Sequence, residues 1–370
     1  MHLGYKYRIY PTIPQREYLG RVFGTTRFVY NWGLSERMAQ YKAGQKFGFL
    51  ASSREFTKLR NNPEYEWLKD VSRDVQTTVL RNLEGSYKTF FKTKKGFPTF
   101  KKKNGVQSAS YKAVGFGFKV KDGVFSIPKL GVLEVAWSRQ LPSNPTRVTI
   151  SKTSTGKYYA SFLVEVPEKK PTKHTRSVGV DLGVKTFAVL SNGEKIEALT
   201  NKLTARLNLN HRRLSKKQIG SHRRDAQRIK VAKLYEKIAH KRADYQHKVA
   251  RSLVRRFDRI YIEDLNVKGM VKNHNLARVV SEASFGAFRR VLEYKARLYG
   301  KQVIPVGRFF PSSKLCSVCG VKNDLLTLSD RSWTCSCGVT HDRDINAARN
   351  ILAAGLAVSV RGVSNVNVSL

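Results

Sequence analysis

Three acidic residues stand where strands or helices should end. Asp181 lies in Ser-Val-Gly-Val-Asp-Leu-Gly-Val (177–184), Glu263 in Arg-Ile-Tyr-Ile-Glu-Asp-Leu (259–265), and Asp344 in His-Asp-Arg-Asp-Ile-Asn-Ala-Ala-Arg-Asn (341–350). Strand alternation puts Val178, Val180 and Leu182 on one face and Gly179, Asp181 and Gly183 on the other, so the glycines are expected to leave open space through which a metal reaches the carboxylate. Glu263 follows Ile260 and Ile262 at a strand's C-terminal end, where open α/β sheets place their ligands. For the third acid, helix geometry separates two candidates. Asp344 shares a face with Ala348 and Ile351, which suit packing on a sheet, whereas Asp342 aligns with Asn346 and Arg349. Asp342 is therefore assigned to capping the helix and Asp344 to the site. Three gathered carboxylates repel one another unless divalent cations neutralise them. Two such cations about 4 Å apart would activate a water and stabilise the leaving oxygen of a phosphodiester.

Two further groups carry chemistry. The four cysteines read Cys316-Ser-Val-Cys319-Gly and, after fifteen intervening residues, Cys335-Ser-Cys337-Gly. Two close pairs across a short loop form a four-thiolate zinc pattern, although Cys-x-Cys is tighter than the usual two-residue spacing. Their position just ahead of Asp344 predicts a zinc-stapled insert beside the acids. The stretch Lys94, Lys95, Phe97, Phe100, Lys101, Lys102 and Lys103 mixes cations that can follow phosphates with rings that can stack on unpaired bases. The other reading of Phe97 and Phe100 is that they plug a helical domain into a neighbouring barrel.

Composition says what surrounds these groups. With 69 Lys+Arg against 27 Asp+Glu the 370-residue chain carries a formal charge of +42, and its pI is near 10.3. That excess is spread over the first 300 residues and points to a large polyanion, nucleic acid ahead of an acidic membrane surface. An apolar content of 41% is enough for a buried core. No run of 18 apolar residues and no apolar signal core occur, so a cytoplasmic protein whose thiols hold metal rather than form disulfides is expected.

The positioning elements follow from periodicity. An opening strand precedes a helix with Leu19, Val22, Phe23, Val29 and Trp32 at helical spacing, and a second helix carries Val71, Val75, Val79, Leu83 and Tyr87 at i+4 before Gly96 and Pro98 break it. From 106 to 166, short alternating runs predict a small barrel that also recruits the N-terminal strand. Residues 167–175 read as a linker. After it come a tight hairpin bearing Asp181, a basic helical region over roughly 201–257, the Glu263 strand, a helix over 284–299, the strand 302–306, the cysteines and a final helix from Ile345. The charged face of the basic region is either solvated surface or a nucleic-acid contact. The polar stretch from Ser359 is expected to be disordered.

Taken in order, Gly-Val-Asp-Leu-Gly-Val-Lys, Tyr-Ile-Glu-Asp-Leu, Ser-Lys-Leu-Cys-Ser-Val-Cys-Gly, Trp-Thr-Cys-Ser-Cys-Gly and His-Asp-Arg-Asp-Ile-Asn-Ala-Ala-Arg-Asn-Ile resemble the TnpB family, the OrfB-type proteins of bacterial insertion sequences, which in turn resemble type V CRISPR effectors. Tyr-Arg-Ile-Tyr-Pro, Arg27-Phe-Val-Tyr-Asn-Trp and Gly96-Phe-Pro-Thr-Phe-Lys extend the resemblance to the N-terminal half. The resemblance implies an α/β multidomain protein. A β-barrel wedge domain (1–10 and 106–170) would contain a helical recognition domain (11–105), followed by a RuvC-like (RNase H fold) nuclease domain (176–312 and 341–358) with a zinc-binding, target-nucleic-acid-binding insert (313–340) and a tail (359–370). It implies an RNA-guided DNA endonuclease linked to transposition, with Asp181, Glu263 and Asp344 holding two Mg2+ and Cys316, Cys319, Cys335 and Cys337 one Zn2+. Its partners would be a noncoding guide RNA and double-stranded target DNA, with no membrane and one monomer per RNA, in a bacterial or archaeal cytoplasm and on the nucleoid when DNA is bound. Two other readings stay open: an RNA-guided binding repressor or accessory protein that does not cut, and an unguided structure-selective nuclease.

Overall fold

The structure is a computed structural model that describes residues 1–113, 117–170, 176–200, 202–327 and 329–364, without the side chains of 275, 276 and 359–364. The chain divides into two compact units, Met1–Pro167 and Glu168–Leu370. Among the described residues no helix is long and apolar enough to cross a membrane.

In the first unit, β1 (His2–Ile9) is followed by α1 (Ile13–Lys42), α2 (Phe49–Asn61), a 3-10 turn (Pro63–Asp70) and α3 (Arg73–Thr93). The strands β2 (Gln107–Lys112), β3 (Lys119–Lys121), β4 (Val124–Ile127), β5 (Gly131–Leu133), β6 (Val135–Ala136), β7 (Arg147–Lys152) and β8 (Tyr158–Glu165) complete it. Five strands in the order β2-β7-β8-β1-β6 and three in the order β3-β4-β5 share one core around Ile9, Phe125, Val148, Ile150 and Phe162. The N-terminal strand is recruited as the alternation implied, pairing antiparallel with β8 from His2↔Glu165 to Ile9↔Tyr158. The helices therefore form an excursion between β1 and β2. α1 and α3 bury the expected stripes, and Val29, Phe56, Leu68, Val79, Leu80 and Leu83 give them a core of their own. The sequence reading missed α2 and the 3-10 turn, whose burial rests on few residues, chiefly Phe56 and Leu68.

The second unit is built on one sheet. Its elements are β9 (Ser177–Asp181), β10 (Thr186–Leu190), β11 (Lys195–Glu197), α4 (Leu203–Ser215), α5 (His222–Arg256), β12 (Arg259–Glu263), α6 (Val267–Lys272), α7 (His274–Ala283), α8 (Phe285–Tyr299), β13 (Gln302–Val306), β14 (Ser332–Thr334), β15 (Thr340–Asp342) and α9 (Arg343–Ser364). The strand order is β11-β10-β9-β12-β13, antiparallel through the β9–β10–β11 meander and parallel for β9, β12 and β13. Alternation sorts the faces: Val178, Val180, Ile260 and Ile262 pack with Leu253, Phe288 and Leu292 of α5 and α8, while Tyr261, Val306 and Ile351 lie together on the α9 side. At the opposite end from the acids, buried Asp258 binds Lys301 Nζ at 2.6 Å and the Arg176 backbone N–H at 3.0 Å, tying the starts of β9, β12 and β13 together. These partners hold its carboxyl well below the usual range.

Three expectations change. The basic helical region is two helices, broken between 215 and 222 where Gly220 takes φ +87°. The final helix runs past Ser359 to Ser364, so at least that part of the expected tail is helical; residues 365–370 lie outside the described residues. The space at Gly179 is not an open path to a metal. A methyl group there would lie 2.1 Å from the Ala348 carbonyl oxygen and 2.7 Å from the Leu352 nitrogen, because α9 fills it. Gly355 is the counterpart on the helix, where a methyl would lie 2.0 Å from the Tyr261 ring. The two glycines let helix and sheet approach almost backbone to backbone.

Gly179→Ala is accordingly expected to destabilise the second unit by about 3 kcal/mol or more in a denaturant titration, since backbone rather than a side chain must move. Gly20→Ala, inside α1 with nothing within 4 Å of the added methyl, should instead stabilise by roughly 0.5–1 kcal/mol.

Candidate active site and metal centre

Asp181 closes β9, Glu263 closes β12, and the two strands run parallel with Ile262 opposite Val180, so both carboxylates emerge at one end of the sheet. Asp344 sits in the first turn of α9, which the Gly179 contact lays against β9. All three acids are half-buried. Burial, followed by the charges of Glu263 and Asp344, pushes the Asp181 carboxyl up to about 8, with Arg343 opposing. The carboxylates thus feel one another across the site, and each has neighbours that fix it. Glu263 Oε1 accepts a short hydrogen bond from Ser312 Oγ. Asp344 has the Arg343 and Arg331 guanidinium groups at 3.6 and 3.9 Å.

Asp342 takes the capping role assigned to it. One carboxylate oxygen accepts from the backbone N–H groups of Asp344 and Ile345 at 3.0 and 3.1 Å, and the other pairs with Lys195 Nζ at 2.7 Å. The next acid along β12, Asp264, is likewise occupied, by Arg289 and Arg308. Asp342 and Asp264, each with committed partners, thus flank Asp344 and Glu263 in the sequence.

The four cysteine sulfurs lie within 4.8 Å of one another. Cys316 and Cys337 are 3.8 Å apart and Cys319 and Cys335 are 3.5 Å apart, close to the edges of roughly 3.8 Å of a zinc–thiolate tetrahedron with bonds of about 2.3 Å. The donor set therefore fits zinc, and the Cys-x-Cys spacing does not prevent it: each pair is followed by a glycine at positive φ, Gly320 at +77° and Gly338 at +83°. The backbone N–H of Cys337 draws the Cys335 thiol down to about 6.

Several residues at this centre escaped sequence reasoning. His341 Nε2 lies 3.0 Å from Cys316 Sγ, buried, with its ring against Trp333; burial lowers its pKa. Asn346 and Asn350, buried on α9, both donate to the Leu315 carbonyl, at 2.6 and 2.7 Å, and Asn350 also reaches the Ser312 carbonyl at 2.8 Å. Asn346 accepts from the Ser317 backbone N–H at 2.9 Å. The loop that carries the first cysteine is thereby bolted to the helix that carries Asp344 and, through Ser312, to Glu263. A polar residue at i and i+4 on an otherwise apolar helix face was the available signal for Asn346 and Asn350.

In the first unit the basic aromatic stretch separates into two behaviours. Phe97 packs edge-on against Tyr87 and Phe90 of α3 at 5.7 and 5.2 Å, whereas Phe100 is 52% exposed and has no ring contact among the described residues. The Lys101 backbone is clamped by Asn31 through two hydrogen bonds of 2.8 and 3.0 Å, and its ammonium lies 4.1 Å from the Tyr30 ring centroid. Burial lowers its pKa. Lys94, Lys95, Lys102 and Lys103 are exposed.

Comparison with known proteins extends over both units. Residues 1–46 match a family model described as a helix-turn-helix domain of the OrfB/IS605 group, residues 161–274 one described as "Probable transposase", and residues 285–351 one described as "Cas12f1-like, TNB domain". A Streptomyces pristinaespiralis protein named "Putative RNA-guided DNA endonuclease" is 39% identical over 365 residues, covering 97% of this chain and 90% of that protein. The Escherichia coli K12 protein named "Putative RNA-guided DNA endonuclease InsQ" is 33% identical over 383 residues, covering 97% and 93%. Among solved structures, a Cas12f1–sgRNA–target DNA complex aligns with a TM-score of 0.59 over 95% of this chain and 98% of that one, at 14% identity, a likeness of fold.

Two outcomes follow for the metal-free protein and the cysteines. A folded-state pKa near 8 against an ordinary 3.8 means that Asp181 contributes stability at acid pH that is lost as pH climbs through that window. Asp181→Asn, melted in EDTA, should therefore gain little near pH 4 and several degrees at pH 8; an unchanged melting temperature at pH 8 would show that the carboxylates do not crowd. Metal analysis should find one zinc per chain, absent in Cys335→Ser. His341→Ala should release zinc to a chelator about 10- to 100-fold more readily, as loss of a supporting hydrogen bond does.

Proposed function

The chain belongs to the TnpB family, the OrfB-type proteins of insertion sequences, and on that footing we propose that it is an RNA-guided DNA endonuclease whose catalytic residues are Asp181, Glu263 and Asp344. The observation that supports the proposal is the placing of Asp181 and Glu263 at neighbouring strand ends of a RuvC-like sheet, with Asp344 in the first turn of the helix packed on it, near enough that Glu263 and Asp344 add to burial in raising the Asp181 pKa. Such a set discharges its mutual repulsion by binding divalent cations, and oxygen donors of this kind suit magnesium. Bound there, two magnesium ions would supply an activated water and charge neutralisation for phosphodiester hydrolysis. The chain's own part is positional. Ser312 fixes one oxygen of Glu263, Asp342 holds the start of α9 so that Asp344 keeps its place, and Lys195 keeps Asp342 out of the site. The zinc-bound insert maintains this frame.

A charge of +42 supports the guided reading, because a structured RNA and an RNA–DNA heteroduplex held by their backbones need far more cationic surface than a short DNA site. In this reading residues 1–10 and 106–170 act as the wedge and 11–105 as the recognition domain, and one chain binds one noncoding RNA in the cytoplasm. Lys94, Lys95, Lys102 and Lys103 are offered to phosphates and Phe100 to a base; Lys101 and Phe97 serve mainly to fold the segment.

Asp181→Ala, Glu263→Ala and Asp344→Ala are each expected to abolish DNA cutting while leaving the RNA–protein particle intact, and Asp342→Ala to reduce cutting only partly. Cutting that survives all three single substitutions would overturn the assignment. Sequencing of the copurifying RNA should return one abundant noncoding species, whereas random fragments would favour an unguided nuclease and a single species without cutting a binding repressor. Replacing Lys102 and Lys103 with Ala should lower the slope of log affinity against log salt by about 1–2, with little change in melting temperature.

A further inference from the structure

We propose that Phe309 is a stacking post for one unpaired base of the DNA strand presented to Asp181, Glu263 and Asp344, within about two nucleotides of the phosphate that is cut. The proposal rests on the nuclease reading above and adds to it a residue that holds the strand in register with the carboxylates.

Phe309 is 94% exposed, the highest value among the exposed large apolar side chains of the described residues. Its backbone, in contrast, is fixed on both sides. Phe310 N donates to the Gly307 carbonyl at 3.1 Å and closes a turn that has Phe309 near its tip, and Ser312 N donates to the Phe310 carbonyl at 2.8 Å. Before the ring, Arg308 is pinned to Asp264 through its carboxylate at 2.6 Å and its carbonyl at 3.1 Å. After it, Phe310 packs with the cluster of Tyr261, Val306 and Ile351, and Ser312 bonds Glu263. The anchors of this loop are thus Glu263 and the residue that follows it.

Register fixes the distance scale. Glu263 pairs with Val306 across the β12–β13 ladder, so Phe309 stands three residues beyond the partner of a site carboxylate, a reach of at most about 10 Å along the chain. That spans one or two nucleotides of an extended strand. Leaving a phenyl ring in water forfeits the stabilisation its burial would give, and neither the turn nor the core uses it. A strand of nucleic acid does have a use for it. Base–ring stacking tolerates any sequence, which suits a nuclease whose target is read by pairing with RNA rather than by the protein. The chain's formal charge of +42 favours a polyanion over an apolar peptide as its occupant.

The test is a cycle between the ring and the bases. The protein with its copurifying RNA is given labelled DNA matching that RNA, in a series that carries one abasic site at successive positions around the cut. Wild type should cut about tenfold more slowly when one particular base within two nucleotides of the cut is missing. Phe309→Ala should cut the intact strand about tenfold more slowly and lose that position's penalty, Phe309→Trp should retain it, and Phe309→Leu should lose it. Melting temperatures should stay at the wild-type value. Cutting by wild type with no position-specific penalty, a penalty that persists in Phe309→Ala, or a marked fall in melting temperature would each overturn the stacking role while leaving the nuclease standing. Absence of cutting by wild type on every strand would instead remove the nuclease reading and this one with it.

Discussion

The backbones of α9 and β9 approach so closely at Gly179 that an added methyl would lie 2.1 Å from the Ala348 carbonyl oxygen. Asp344 stands on a helix that lies close to the strands carrying Asp181 and Glu263, and it can lie so close because Gly179 and, facing Tyr261, Gly355 have no side chains. The same approach buries Ala347, Ala348 and Ile351, apolar contact that offsets the unfavourable gathering of three like charges. Stability and the candidate chemistry therefore oppose each other at one spot. Packing brings Asp181 near Glu263 and Asp344, and burial together with their charges favours a proton on Asp181.

The zinc centre is continuous with this arrangement. Asn346 and Asn350 are core-facing positions of α9 occupied by amides, which satisfy carbonyls of the loop that leads into the first cysteine pair. Buried amides are tolerated where every hydrogen bond is met, and here the partners belong to the insert. An insert that fails to fold leaves unpaired amides on the helix that carries Asp344 and removes the Ser312 hydroxyl from Glu263. The cysteine cluster is thus joined to the carboxylates through hydrogen bonds, without any thiolate touching them.

Much of this was legible in the chain. Strand alternation put Asp181 and Glu263 at the ends of β9 and β12 because a half-buried strand has a strict period of two, and the helix face gave Asp342 its capping place because the neighbours of Asp344, Ala348 and Ile351, are small or apolar. Spacing alone gave the four sulfurs. What alternation cannot show is the occupant of a gap: Gly179 read as an opening because the sequence records the missing side chain and not the helix that fills it. α2, α6 and α7 went unread since short, polar helices leave no long apolar stripe. His341 and Ser312 act through single hydrogen bonds to residues far away in the sequence, contacts that exist only once β15 and the loop after β13 are folded. Phe97 and Phe100 were indistinguishable by type; one happens to meet the rings of α3.

Trp333 is the sole tryptophan after residue 167, and it lies on β14, against the His341 ring that faces Cys316. Intrinsic fluorescence from the second unit therefore comes from one indole inside the zinc insert and none in the sheet. In a chain whose Trp32, Trp67 and Trp137 are replaced by phenylalanine, that emission would follow the insert alone through a chelator titration, while circular dichroism would follow the helices of the whole chain. Midpoints that fail to coincide between the two signals would be the expected signature of an insert that opens ahead of its sheet, and a single transition would mark the amide bolts as strong enough to make insert and sheet one cooperative unit.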